Sequence, residues 1–257
     1  MSTTNPQSSP IGKPGSSPDA FRPAARIWTL AIAAGLIAGL AAWLGGEASL
    51  DAIEPARRPV KSKGMILNVT DRWGETMATA WNAGLAFSIL GGSVGTSLGA
   101  AGGLARGSAR KAAIAALMGL VVGAVGVAGM SGALLAPFSS YRFHHPDEAS
   151  KDLLFPLLVR AAIWTTAGIS GGLAFGIGAG DRRMVAKAAL GGAVGALIGA
   201  VAFDLTSVMV VSGTNTAGLV SATWEARLAA RLAVAVFAAA GVAMAVVDRR
   251  VRPDVPS

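Results

Sequence analysis

Long apolar stretches with few or no charged residues alternate with short charged segments along this chain. Each apolar stretch covers about 20 residues or more, the length that a helix needs to cross a bilayer. The charged segments between them are short turns, two tails and two longer connections. The pattern predicts an all-α, polytopic membrane bundle of six transmembrane helices. The predicted spans are 27–46, 77–104, 112–138, 153–180, 185–211 and 228–247.

Glycine recurs at every fourth position in two of these spans, and this spacing places it on one face of a helix. In water each such glycine would weaken the helix by about 1 kcal/mol. In lipid the backbone keeps its hydrogen bonds, and the bare face lets another helix approach closely. The predicted helix-packing glycines, from these rows and the spans that follow them, are Gly91, Gly95, Gly99, Gly103, Gly119, Gly123, Gly168, Gly172, Gly176, Gly180, Gly191, Gly195 and Gly199.

The two glycine rows also indicate an internal repeat, because each is followed by a short basic turn and a second glycine-bearing span. The repeated hairpins would cover about 77–138 and 153–211, and residues 119–126 align with 191–198 at an offset of 72. Copies of two spans each would be parallel in the membrane. Chance similarity between Gly- and Ala-rich segments is the alternative.

Over 91–126 and 168–199 the chain resembles the glycine-zipper helical hairpins of bacterial membrane proteins. That resemblance concerns packing, and it implies no catalytic or binding residue.

Composition supports a membrane-embedded chain. Hydrophobic residues make up 53% of it and charged residues only 14%, against roughly 25% charged in an average soluble domain. A net charge of +8 would suggest nucleic acid for a soluble protein, but here the basic residues lie between apolar spans, so we expect no nucleic-acid partner. The chain contains no Cys, which excludes disulfides and thiol catalysis.

The distribution of Lys and Arg predicts the orientation of the bundle. The side with both tails and the two short turns holds twelve of these residues, against nine on the other side when Arg160 is left out. The positive-inside rule then places both termini in the cytoplasm. We expect a plasma-membrane protein, in a bacterium one of the inner membrane, with lipid around it and a second copy or another membrane protein as its possible partner.

The same pattern divides the chain into a disordered cytoplasmic tail at 1–25, a membrane domain at 26–248 and a short basic cytoplasmic tail at 249–257. Two connections lie on the outer side of the membrane. We expect the first, 47–76, to rest on the membrane surface. We expect the second, 139–152, to be a solvated loop, although it carries two adjacent histidines.

Three ionisable residues within predicted spans are the candidate polar site. Arg160 and Asp204 each lie about seven residues from the outer end of their span, so the spacing predicts an ion pair inside the bundle. Arg231 lies near the outer end of the last span and could compete with Arg160 for Asp204. Pairing opposite charges offsets much of the cost of placing them in lipid. The alternatives to a functional site are an ion pair that only locks two helices together, or two side chains that snorkel to the membrane interface.

The sequence favours a non-catalytic protein. It contains no grouping of nucleophile, base and acid, no phosphate-binding loop and no paired carboxylates within a span. We therefore expect no enzyme activity, no cofactor and no metal. The favoured function is that of a tightly packed membrane component or assembly scaffold. The alternative is a small channel or transporter with a polar path near Arg160 and Asp204.

Overall fold

The structure is a computed structural model that describes residues 21–62, 65–149, 152, 154–210, 220–221 and 223–247. The predictions for most of the two tails, and for the span ends at 153, 211 and 248, fall outside these residues. The described elements are α1 Phe21–Ala48, β1 Arg57–Ser62, β2 Met65–Thr70, α2 Arg72–Ala105, α3 Ala109–His144, α4 Pro146–Ala149, α5 Leu154–Ala179, α6 Arg182–Val210 and α7 Trp224–Val247.

Six of the helices are long and apolar enough to cross a membrane, as the hydropathy pattern predicts. They are α1, α2, α3, α5, α6 and α7. In the described part of the chain the only other regular structure is the short helix α4 and one antiparallel hairpin of β1 and β2. The prediction of a helical bundle is therefore confirmed, with a small strand pair added to it.

The connections 47–76 and 139–152 both contain regular structure. The first contains the β1–β2 hairpin, and α2 begins at Arg72, before the predicted span. The second is largely helical, because α3 continues through Pro137 as far as His144 and is followed by α4. The prediction of a solvated loop over 139–152 is thus wrong for most of its described length. His144 and His145 are nevertheless exposed.

Helices α2 and α5 pack against each other and connect the two halves of the bundle. Helix α3 packs on both of them, and α6 packs on α5 and α7. Helix α1 lies between α2 and α7, so the first and last helices are neighbours. We call the end of the bundle that carries β1 and β2 the hairpin side, and the end with the short α2–α3 and α5–α6 turns the turn side.

Glycines of α2 face the backbone of α3. A Cβ on Gly95 would overlap the carbonyl oxygen of Gly119, and one on Gly91 would overlap that of Gly123. Further along the same seam, Gly99 faces Ala115. Any larger residue at these positions would force the two helices apart, so the absence of side chains sets their separation.

A second seam of the same kind joins α5 to α6. Gly168 faces Gly192, Gly172 faces Ala188, and Gly176 faces Val185. The order of contacts matches that between α2 and α3. However, Gly119 and Ala188 occupy corresponding places, which are 69 residues apart rather than the 72 expected from the alignment of 119–126 with 191–198.

The remaining predicted glycines have other roles. Gly191, Gly195 and Gly199 pack α6 against α7 rather than against α5. Gly180 does not belong to a helix seam, because α5 ends at Ala179 and Gly180 has a positive φ of 69°. A left-handed residue after the last helical turn is the usual way to end a helix, and glycine adopts it without steric cost.

Polar side chains fix the ends of these helices. Ser108 accepts a hydrogen bond from the backbone N–H of Lys111 at the start of α3, and Asp181 accepts one from Arg183 at the start of α6. Arg26 donates to the carbonyl of Leu104 at the end of α2. The same carbonyl also accepts from the backbone N–H of Gly107, and an arginine at a helix C-terminus interacts favourably with the helix dipole.

Candidate functional site

A two-point ion pair joins the first and last helices on the hairpin side. The guanidinium Nε of Arg227 donates to Oε1 of Glu47 at 2.7 Å, and its Nη2 donates to Oε2 at 2.6 Å. The third nitrogen donates to the carbonyl oxygen of Ser221 at 3.0 Å. The side chains are only 14% and 27% exposed. Bidentate geometry of this kind is the strongest form of arginine–carboxylate contact.

Arg160 and Asp204, which the sequence pairs by depth, lie together between α5 and α6. Nη2 of Arg160 is 3.0 Å from Oδ1 of Asp204, and the side chains are 6% and 13% exposed. The two atoms are not aligned for a hydrogen bond. Among the described residues, Oδ1 of Asp204 accepts no hydrogen bond and Nε of Arg160 donates none. The two groups are therefore held by charge attraction rather than by matched donors and acceptors.

Arg231 does not compete for Asp204. Its Nη1 donates to the carbonyl oxygens of Ala42 at 2.5 Å and Trp43 at 3.0 Å, near the end of α1. Gly46 makes room for the guanidinium, since a Cβ there would overlap it. The competition expected from sequence is thus replaced by a contact with a neighbouring helix whose C-terminal carbonyls attract a cation.

Trp164 lies beside Arg160 in the interior of the bundle. It is only 4% exposed, its ring is 6.0 Å from the Arg160 Cζ, and its centroid is 6.0 Å from that of Phe203. Its Nε1 has no hydrogen-bond partner among the described residues. Trp164 is therefore part of the packed interior of the bundle.

These residues surround a small cavity of about 20 Å³, which Arg160, Trp164, Arg227 and Arg231 line together with apolar side chains. A larger cavity of about 580 Å³ lies next to it on the hairpin side and shares Ser221 and Arg227 with it. Three guanidinium groups thus meet in a small space near one end of the bundle, with a wider cavity beyond them.

Buried apolar side chains fill the bundle between its two end cavities. On α2 the arginine-lined cavity reaches Leu90, and a third cavity of about 580 Å³ on the turn side reaches Gly102. Val94 and Leu98 lie between these points and are fully buried. Twelve residues of helix separate the two cavities along α2, which is about 18 Å.

Several hydroxyl groups within the spanning helices form hydrogen bonds within their own helix. Six of them donate to carbonyl oxygens three or four residues earlier in their own helix. This is the usual way for a serine or threonine in a membrane helix to satisfy its hydroxyl. The six are Ser88, Thr96, Thr166, Ser170, Thr206 and Ser207.

The turn side and the outer histidines offer less chemistry. The turn-side cavity is lined by Arg26, Arg106 and Asp181, and both arginines donate to carbonyl oxygens at helix ends. His144 binds the carbonyl of Ser140. No group of three or more His, Asp or Glu side chains that could hold a metal ion occurs among the described residues.

The sequence analysis did not pair Arg227 with Glu47. These two residues lie 180 positions apart, and nothing in a single sequence indicates that α1 and α7 are neighbours. The sequence did contain a signal. Glu47 directly follows the first predicted span and Arg227 directly precedes the last one, so both residues lie at the same end of the bundle. The sequence analysis also missed Gly35 and Gly39 as packing glycines, because each of them faces the backbone of α7.

Comparison of the chain with protein-family models, with curated proteins and with solved structures finds no match.

Proposed function

We propose that this protein is a non-catalytic, multi-pass membrane component that acts as an assembly subunit. The sealed centre of the bundle carries the proposal. Val94 and Leu98 are fully buried between the two end cavities, and the six hydroxyls named above donate to carbonyl oxygens of their own helices. A bundle that is closed by bare backbone contacts is suited to holding a fixed shape rather than to opening.

The surface for assembly is the part of α3 that no other described helix covers. Gly129 and Gly132 on this helix meet nothing within 4 Å, although glycines elsewhere in the bundle pack against neighbouring backbone. Beside them an apolar groove of about 240 Å³ runs between α2 and α3, with Trp81, Ala128 and Gly132 among its lining residues. Small residues facing lipid allow a further helix to approach closely.

The proposal includes the finer features of the architecture. The α2–α3 and α5–α6 hairpins are two parallel copies of a glycine-zipper unit, and their similar order of backbone contacts supports this. Both termini lie in the cytoplasm, which the excess of Lys and Arg on the turn side supports. The bundle lies in a plasma membrane, in a bacterium the inner one. The partner is a second copy of the chain or another membrane protein.

Cross-linking in native membranes tests the assembly surface. Ala128→Cys places a single thiol in the groove, and Leu190→Cys places one on the exposed surface of α6 as a matched control. A photoreactive maleimide should yield a discrete adduct from position 128 and none from position 190. A homo-oligomer gives an adduct of twice the chain mass, and another partner gives a different mass. Absence of any adduct at position 128 contradicts the proposal.

Transport remains the second candidate, because the arginine-lined cavity adjoins a wider cavity on the hairpin side. Such a conduit would have to cross the region of Val94 and Leu98. Purified protein in liposomes should show no ion flux above that of protein-free liposomes. Flux that the neutral variant Asp204→Asn abolishes would favour transport over assembly.

A further inference from the structure

We propose that the cavity lined by Arg160, Arg227 and Arg231 binds one small monovalent anion of the size of chloride. This site goes beyond the assembly function and does not depend on it. Buried positive charge needs a counter-charge, and one of the three arginines, Arg231, forms no direct ion pair with a described carboxylate.

The count of charges is the first argument. Arg227 is paired with Glu47, and Arg160 lies against Asp204. Arg231 contacts two backbone carbonyls and forms no ion pair with a described carboxylate. Among the described residues, direct ion pairs thus join two of the three guanidinium groups to carboxylates, while the charges of Glu47 and Glu225 act on Arg231 and Arg227 from further away. Arg231 has no ion pair of its own and is only 7% exposed. Helix-end carbonyls carry partial charge and offset only part of its charge.

Unpartnered donors are the second argument. Nε of Arg160 and Nε1 of Trp164 are buried and have no acceptor among the described residues. Both residues line the cavity and are no more than 5% exposed. A buried N–H without an acceptor costs about 1–3 kcal/mol. One anion in the cavity could accept hydrogen bonds from groups of this kind and also neutralise the charge of Arg231.

Size and access select the ligand. A cavity of about 20 Å³ has room for one small particle and favours a small ion over a bulky one. The wider cavity on the hairpin side meets it at Ser221 and Arg227, which gives a route from the aqueous phase. Three acidic residues, Asp51, Glu54 and Glu75, line that wider cavity. They reduce the local concentration of anions but leave the charge of the inner cavity unchanged.

The thermal stability of the purified full-length chain in detergent tests the site. We expect a higher Tm in sodium chloride than in sodium gluconate of equal ionic strength, because only an ion that binds the folded state stabilises it. The Tm should continue to rise with each tenfold increase in chloride above the dissociation constant. Equal Tm values in the two salts would overturn the proposal.

A variant pair assigns the effect to this cavity. Arg231→Met removes the charge that has no direct ion pair while keeping a long side chain, and we expect it to abolish the chloride-dependent rise in Tm. Arg183→Met, at an exposed position on the turn side, should keep the full rise. A chloride-dependent rise that persists undiminished in Arg231→Met places the ion elsewhere and contradicts the assignment.

Direct binding keeps the proposal testable if Arg231→Met fails to fold. Equilibrium dialysis of the unmodified protein against radioactive chloride should show saturable binding of one ion per chain. Bromide should compete for the site because it has the same charge and nearly the same radius, and gluconate should not. Absence of saturable binding would show that water alone enters the cavity and would overturn the proposal.

Discussion

Arg227 and Glu47 hold the last helix to the first through two parallel hydrogen bonds of 2.7 and 2.6 Å. The contact spans 180 residues of sequence, and it lies at the hairpin side of a seam in which Gly35 and Gly39 face the backbone of α7. The ion pair and the glycine contacts together close the bundle between its two terminal helices.

Removing one member of this pair should destabilise the bundle. Glu47→Gln and Arg227→Met should each lower the free energy of unfolding, and a double-mutant cycle should give a coupling energy of about 1–3 kcal/mol. The pair is partly exposed, so the coupling is expected to decrease as salt increases. Unfolding by denaturing detergent measures each value. Additive effects of the two substitutions would show that the pair contributes no interaction of its own.

Arg160 and Asp204 should behave differently, because they are more deeply buried and poorly aligned. Breaking a buried pair leaves one charge uncompensated and costs about 3–5 kcal/mol, whereas replacing both groups is close to neutral. We expect Arg160→Met and Asp204→Asn to reduce the yield of folded protein singly. The double variant should recover most of it, as measured by size-exclusion chromatography of the detergent extract. Failure of the double variant to recover would remove pairing as the explanation.

Glycine substitutions should separate packed from open positions. Gly95→Ala places a methyl group against the carbonyl of Gly119 and should lower the Tm markedly, since backbone cannot move aside as a flexible side chain can. Gly129→Ala is the matched control on α3, where nothing lies within 4 Å, and it should leave the Tm unchanged or raise it. Comparable losses at both positions would contradict the packing described for α2 and α3.

The orientation can be tested directly because the chain contains no Cys. A single Ser62→Cys, in the hairpin β1–β2, should react with a membrane-impermeant thiol reagent added to intact cells. Ser108→Cys, in the turn between α2 and α3, should react only after the membrane is opened. The opposite pattern would place the termini outside.

The sequence predicts the parts of the fold that depend on local composition. Apolar stretches of sufficient length identify all six spans, since lipid imposes the same requirement on each. Equal depth from the outer span ends was enough to pair Arg160 with Asp204. The strand β2 could also have been predicted from the sequence, because residues 65–70 are rich in β-branched and apolar side chains.

Features that depend on the order of the helices in space could not be predicted. The sequence does not state that α1 lies beside α7, so the partners of Glu47 and Arg231 were hidden. The contacts repeat at an offset of 69 residues, whereas the sequence alignment used an offset of 72. Gly- and Ala-rich segments align equally well at offsets that differ by about one helical turn, so the sequence could not decide between them. Gly180 fits the glycine spacing but lies just past the end of its helix.

Close contacts between bare helix faces seal the middle of the bundle. The accessibility of single thiols in native membranes measures this seal. Leu98→Cys places a thiol at the sealed level, and Ser221→Cys places one beside the hairpin-side cavities. We expect a small membrane-permeant methanethiosulfonate reagent to modify position 221 readily and position 98 only after denaturation. Modification of position 98 in the folded protein at a rate similar to position 221 would contradict it.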